Sequence, residues 1–169
     1  LKGLLSRYKI GKVIERAMDK DIYRYGDLYF DILLGGGLGV QTEGESGSNE
    51  NEDSMVVLLQ YFDFSALFTA DIGEKTELAL LAAGVLRKTS VLKVPHHGSK
   101  FSSSISFLEK LRPAVAVISV GAKNSYGHPN GDTLMRLDRV KAKVFRTDTL
   151  GSIEVKTDGE KITVFRARP

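Results

Sequence analysis

Apolar and polar positions follow two different periods along the chain, and the changes of period outline its elements. Leu1 to Tyr8 suggests a short helix and Ile10 to Ile14 a strand. Ile22 to Tyr25 and Leu28 to Leu34 read as paired strands joined at Gly26-Asp27. A hairpin is expected over Ser54 to Tyr61 and Ser65 to Ala70, turning around Asp63. Leu78, Leu81, Ala82, Val85 and Leu86 then fall at i, i+3, i+4, i+7 and i+8, which is one face of a helix. From there strand and helix alternate. Val91 to Val94 is a strand, and Ile105, Leu108 and Leu111 mark a helix. Pro113 stops that helix, because its ring removes the N–H that another turn needs. Ala114 to Val120 is a strand of buried type; Leu134, Leu137 and Val140 mark a further helix. Lys143 to Thr147, Ile153 to Thr157 and Ile162 to Phe165 close the pattern, the last two joined at Asp158-Gly159. This alternation predicts an α/β layered fold with a mixed sheet.

The periodicity fails between residues 35 and 53. Gly35-Gly36-Gly37-Leu38-Gly39 leads into a stretch with Glu43, Glu45, Glu50, Glu52 and Asp53 and no basic residue. Such composition buries too little apolar surface to order itself, so a mobile acidic and Gly-rich loop inside one domain is expected. The glycines do not make a dinucleotide site, which requires a helix start immediately after them to hold a pyrophosphate.

At 169 residues the chain can bury the core of a single domain, here spanning residues 1–169. No apolar run is long enough to cross a bilayer. Cysteine is absent, so disulfides and thiolate ligands are excluded. The net charge of +3 hides an imbalance. Residues 1–86 carry 8 Lys/Arg against 14 Asp/Glu, and residues 87–169 carry 16 against 7. The basic half is either an ordinary solvated surface or a face for a polyanion such as DNA. On the second reading, Arg136, Arg139, Lys141, Lys143 and Arg146 would converge with Lys93 and Lys100 on a site.

Candidate chemistry lies directly after three strands. Asp71 follows Phe68-Thr69-Ala70, His96 and His97 follow Leu92-Lys93-Val94-Pro95, and His128 follows Val117-Ile118-Ser119-Val120 at a short remove. Strand ends of an α/β sheet gather at one edge, where loops carry sites. All three histidines of the chain stand in such loops. Imidazole and carboxylate together suit zinc, manganese or iron, and an open coordination position activates water. Each residue also has a structural use. Asp71, with Glu74 three positions on, fits a helix N-cap. His96 and His97 fit an exposed turn before Gly98. Ser99 and Ser102 to Ser104 fit caps of the next helix, or a phosphate contact. Gly127-His128-Pro129-Asn130 fits a turn and helix start. Ser99 beside His97 lacks the Gly-x-Ser-x-Gly elbow of a serine hydrolase.

Taken in order, several of these segments resemble one family. Leu92-Lys93-Val94-Pro95-His96-His97-Gly98-Ser99, Ile118-Ser119-Val120-Gly121, Asn124-Ser125-Tyr126-Gly127-His128-Pro129 and Arg146-Thr147-Asp148 with Gly151 resemble the C-terminal signature of the metallo-β-lactamase-like domain of ComEC-type DNA internalisation (competence) proteins. Phe68-Thr69-Ala70-Asp71-Ile72-Gly73 resembles that family's Thr-Gly-Asp segment, with Ala70 where Gly is usual. The resemblance spans residues 54–157 most clearly.

The resemblance implies an αββα sandwich around two divalent metal ions, zinc or manganese. Asp71 then corresponds to the bridging carboxylate. One of His96 and His97 corresponds to a late histidine ligand while the other lines the site, and His128 is a site-edge catalytic residue. It also implies a parent embedded in the cell membrane that passes single-stranded DNA, with this domain as an extracellular nuclease. The superfamily's His-x-His-x-Asp-His motif is missing, and Leu1-Lys2-Gly3-Leu4 resembles the stretch just C-terminal to that motif. The expectation is therefore an incomplete domain, truncated at its N-terminus, metal-poor and inactive alone. A non-catalytic nucleic-acid-binding module and a small-molecule metallo-hydrolase remain as rivals.

Overall fold

A computed structural model describes residues 22–34 and 54–166. The helix expected at residues 1–8, the strand at 10–14 and the acidic loop at 35–53 lie outside the described residues.

Short antiparallel connections come first. Strands β1 (Ile22–Tyr25), β2 (Leu28–Leu34), β3 (Val56–Tyr61) and β4 (Phe64–Phe68) pair in chain order, each antiparallel to the next. Gly26, at φ +60°, makes the β1–β2 turn where the sequence places it. Crossover helices then change the direction of pairing. Helix α1 (Glu74–Ala82) leads to β5 (Val91–Lys93), a 3-10 turn at Pro95–Gly98 and α2 (Ile105–Leu111) lead to β6 (Val115–Ile118), and α3 (Gly131–Arg139) leads to β7 (Lys143–Arg146). Strands β4 to β7 are parallel, so the seven strands form one mixed sheet in the order β1 to β7. A one-turn helix α4 (Thr147–Leu150) precedes β8 (Ile153–Thr157) and β9 (Ile162–Arg166), which pair as a separate antiparallel ribbon.

The alternation of side chains along a strand divides the burial between two faces. Leu67, Leu92 and Ala116 stand in register on one face and pack with Leu80, Phe107, Leu108, Leu111 and Leu137 from the three helices. Ala66, Val91 and Val115, one residue earlier, face the other way. Val155, Ile162 and Val164 of the β8–β9 ribbon cover that second face. An open cleft of about 700 Å³ remains beside them, lined chiefly by apolar side chains such as Leu59, Phe64 and Val155. The α/β layering with a mixed sheet is as the alternation predicts.

Some element limits and one face differ from expectation. Helix α1 stops at Ala82, and Gly84 turns with φ +68°, so Val85 and Leu86 pack on the core from a loop. Its buried stripe is Thr76, Glu77 and Leu80, whereas Leu78 is exposed. A count of apolar spacing alone rotated the helix, because one of the residues it buries is a carboxylate. The strand expected to reach Thr147 ends at Arg146, where Thr147 begins α4.

Candidate functional site

The parallel strands β4, β5, β6 and β7 end on one edge of the sheet, and that edge collects the four residues singled out above. Thr69, just past β4, donates its hydroxyl to the Lys93 carbonyl at 2.9 Å, tying the ends of β4 and β5 together. Asp71 follows two residues later. It does not cap α1: Gly73 is the cap residue, and no side-chain capping bond is made there. The N-cap expectation for Asp71 is thus corrected, and its carboxylate is turned to other neighbours.

The 3-10 turn after β5 is bent through an unusual backbone. His96 and His97 have φ of 47° and 53°, Gly98 follows at 81°, and Ala70 across the edge has 46°. Left-handed backbone costs a non-glycine residue about 1–2 kcal/mol, so surrounding contacts must hold it. One is the His96 N–H donating to the Ala70 carbonyl at 3.1 Å. Another is the packing of Gly98 against Pro129. A Cβ on Gly98 would lie 2.7 Å from the Pro129 Cβ, and Asn130 N–H donates to the Gly98 carbonyl at 2.9 Å. The loop bearing His128 is therefore seated directly on the His96-His97 turn.

The result separates the roles of the two adjacent histidines. His97 Nδ1 lies 2.6 Å from the Ser119 carbonyl oxygen, which can only accept, so Nδ1 carries the proton. His97 Nε2 then faces Asp71 Oδ2 at 3.5 Å. The carbonyl of Ser119 is positioned by the end of β6, where Val120 N–H donates to the Thr147 hydroxyl and that hydroxyl donates back to the Val120 carbonyl, both at 2.8 Å. His96 instead turns towards His128, ring edge to ring face, with centroids 5.9 Å apart.

His128 is braced by Asn124, which accepts from its N–H at 3.0 Å and donates to its carbonyl at 2.8 Å. Tyr126 stacks on its ring at 5.9 Å. The Nδ1 atom is buried and has no hydrogen-bond partner. Burial, with smaller contributions from neighbouring His96 and His97, holds its pKa below the ordinary histidine range; Asp71 opposes the shift. Lys93 is partly buried and donates to the Val94 carbonyl at 2.9 Å. Burial lowers its pKa too, again against the attraction of Asp71. Asp71 is thus electrostatically close to both.

The serines serve a different purpose from the one expected. Ser104 stands at the N-cap of α2 but makes no side-chain capping bond. The buried Glu77 of α1 accepts from the backbone N–H groups of Ser103 and Ser104, the second at 2.8 Å. Arg136 of α3 donates to the carbonyls of Ser103, Ser102 and Lys100, at 2.8, 3.0 and 3.3 Å. A carboxylate and a guanidinium from two helices thus fix the segment after the His97 turn. By contrast, Asn130 does start α3, its side chain accepting from Asp132 N–H at 3.0 Å.

The basic run does not converge here. Arg136 is bound to the serine carbonyls, and Arg146 pairs with Asp148. Arg139, Lys141 and Lys143 precede β7 or open it, at the opposite edge of the sheet. Of the expected cations, Lys93 is the one whose charge is coupled to Asp71.

Asp71 Oδ2 and His97 Nε2 fit two positions on a divalent ion, since their separation is close to the span of two neighbouring ligands about 2 Å from a common centre. Among the described residues no group of three or more metal-ligating side chains is assembled. The pair alone falls short of a full donor set.

An α/β sheet with an Asp/His pair and two further histidines at the carboxyl edge of its parallel strands defines the class: a layered domain whose polar site is built on strand ends. No family model matches the chain. Its sequence is 31% identical over 165 residues to ComE operon protein 3 of Bacillus subtilis (strain 168), covering 92% of this chain and 20% of that protein. It is 36% identical over 119 residues to Recombination protein 2 of Haemophilus influenzae, covering 70% and 15%. It is 34% identical over 107 residues to Competence protein ComA of Neisseria gonorrhoeae, covering 63% and 16%. The chain belongs with the ComEC-type competence proteins, and it spans a fifth or less of the length of these relatives. Among the described residues, no helix is long and apolar enough to cross a membrane.

Proposed function

We propose that this segment supplies the Asp71–His97 half of a metal-dependent phosphodiesterase site in a metallo-β-lactamase-like domain, acting on DNA during competence. The observation that carries this reading is the aim of His97. With Nδ1 committed to the Ser119 carbonyl, the remaining lone pair on Nε2 points at Asp71 Oδ2 across 3.5 Å. Two acceptors that face one another need a cation between them or a second proton on the ring. His97 is accordingly the metal-facing member of the pair, and His96 lines the site beside His128.

A bound zinc or manganese ion there would polarise a phosphate oxygen and lower the pKa of water. This chain's own residues prepare the ground around it. His128, whose pKa burial lowers, presents an unsatisfied buried Nδ1 and sits at the rim under Tyr126. Its ring can take the proton that the attacking water releases, or donate a hydrogen bond to a phosphate or leaving oxygen and steady the charge there. Lys93, with its ammonium near Asp71, offsets negative charge gathered at the edge. The other ligands come from sequence outside the described residues, where the family's His-x-His-x-Asp-His motif belongs. The names of the relatives, two of which speak of competence or recombination, favour DNA as the substrate; a single strand crossing the membrane from outside fits the resemblance.

The test compares this chain with one extended upstream through the motif. The expected result is weak divalent-metal binding and no DNA degradation for the first, and both properties for the second, with loss of both in Asp71→Asn and His97→Gln. Stoichiometric tight metal in the 169-residue chain, or an extended chain that binds none, would overturn the reading.

A further inference from the structure

The edge of the sheet opposite the candidate site carries its own concentration of charge. Three neighbouring segments enter β5, β6 and β7 there, beside the Phe62-Asp63 turn that enters β4: the one before β5, the one between α2 and β6, and the one between α3 and β7. Backbone bonds stitch them side by side. Thr89 N–H donates to Leu111, Val115 N–H to Ser90 and Lys143 N–H to Ala114, at 2.9, 3.1 and 2.9 Å. Exposed on these segments and the helix ends above them are Arg87, Lys88, Lys110, Arg112, Arg139 and Lys141. The acids among them are Glu109 and Asp138. Glu109 pairs with Arg139 at 3.5 Å, an exposed contact that holds neither charge firmly. Arg112, Arg139 and Lys141 also line one concavity of about 340 Å³ with Glu109 and Val140.

The backbone beneath this patch is unusual. Arg112, the C-cap of α2, and Lys141, just past the Val140 cap of α3, adopt φ of 40° and 61°. Glycine is the residue favoured there, and a side chain in that conformation is strained. A cation at a helix C-terminus recovers part of that cost from the helix dipole. The dipoles account for one positive group per helix end, whereas these three segments and the helix ends above them carry six cations against two acids, with Asp63 at their border.

We propose that this edge is a second binding surface, for the phosphate backbone of a nucleic acid, separate from the Asp71–His97 site. Three of its cations are guanidiniums, which grip phosphate oxygens in pairs. Strands lie about 4.8 Å apart, so the three stitched segments span roughly 10 Å. That span is long enough to meet more than one phosphate of a single strand. A membrane surface is the poorer match, because an interfacial patch needs exposed large apolar or aromatic anchors. The exposed large hydrophobic residues of the described chain lie outside these three segments; Phe62, on the neighbouring turn into β4, stands beside them, and a single residue is too few for an interfacial anchor. The choice of nucleic acid as ligand rests on the DNA reading above; the location does not.

The experiment titrates the 169-residue chain with fluorescent single-stranded oligonucleotides of several sequences at a series of salt concentrations. Three forms are compared: the unaltered chain, Arg112→Gln/Arg139→Gln/Lys141→Gln, and Asp71→Asn/His97→Gln. Each neutralised phosphate contributes about 0.7 to the slope of log affinity against log salt for a single strand, so the triple variant should lose roughly 2 from it. Affinity should fall similarly for all sequences, while the Asp71/His97 variant keeps the slope of the unaltered chain. If circular dichroism shows the triple variant unfolded, Lys141→Glu alone replaces it, with a loss of slope again expected. An unchanged slope in the folded basic-edge variant overturns the proposal. So does binding to anionic phospholipid vesicles or to polyglutamate with none to the oligonucleotides. Failure of metal binding or nuclease activity in the extended chain leaves this slope untouched, so the two readings fail separately.

Discussion

At Gly98 the requirements of backbone and packing coincide. Its φ of 81° belongs to glycine, and the space a Cβ needs is taken by Pro129. Gly98→Ala is expected to destabilise the chain by about 2–4 kcal/mol, combining left-handed strain with overpacking. Urea unfolding checks this, and a loss under about 1 kcal/mol would mean that the turn and the His128 loop shift apart at little cost. The sequence made Gly98 conspicuous only as the end of His-His-Gly. Nothing in it showed that His96 and His97 share the left-handed bend, because that bend is imposed by the Ala70 carbonyl and by Pro129, both distant along the chain. For the same reason the sequence could not choose between the two histidines. In the proposed reading the choice rests on the Ser119 carbonyl, and a carbonyl is common to every residue.

Element boundaries that rest on local chemistry were legible. The Gly26-Asp27 turn, the Asp158-Gly159 turn and the Asn130 cap each depend on residues within a few positions. Helix α1 was located but turned the wrong way, since Glu77 is buried to satisfy two N–H groups on another element. That arrangement has a pH signature. Burial raises the pKa of Glu77 above the ordinary glutamate range, although its bonds to Ser104 and Ser103 pull the other way. Between the ordinary value and the raised one, the folded chain holds the proton more firmly than the unfolded chain. The contribution of Glu77 is therefore fully present below that window and is lost as pH rises through it. Subtracting the stability of Glu77→Gln from that of the unaltered chain, pH by pH, should give a difference that declines across the window. Parallel profiles would show that Glu77 ionises in the fold as easily as in water.

For the whole molecule, the alternation of strand and helix was enough to give the α/β class and to bring the Asp and His residues to one edge. Charge was harder to place. The basic half of the sequence reads as one run, but consecutive cations fall on opposite ends of short parallel strands, so Arg139 and Arg146 are on different edges. Distance along a sequence carries no information about which end of a strand a residue occupies until the direction of each strand is known. The β8–β9 ribbon is a comparable case. Its strands were legible, yet their use as a cover over Ala66, Val91 and Val115 depends on tertiary packing. Val155→Asp, replacing half-buried apolar surface by a charge in that contact, is expected to cost about 1–2 kcal/mol. A chemical denaturation curve indistinguishable from that of the unaltered chain would show the ribbon to be only loosely attached.

His97 Nδ1 donates its proton to the Ser119 carbonyl, and the N–H of that same peptide, on Val120, donates to the Thr147 hydroxyl. Hydrogen bonding of this kind slows the exchange of an imidazole proton with water and moves its magnetic resonance well downfield of the amides. The site is therefore expected to carry a built-in reporter, to be sought in the chain alone before any ion or substrate is added. Thr147→Val should shift or broaden that signal while Asp71 and His97 stay in place. A metal arriving at Nε2 on the far side of the ring should move it without abolishing it, so occupancy of one nitrogen can be followed through the proton on the other.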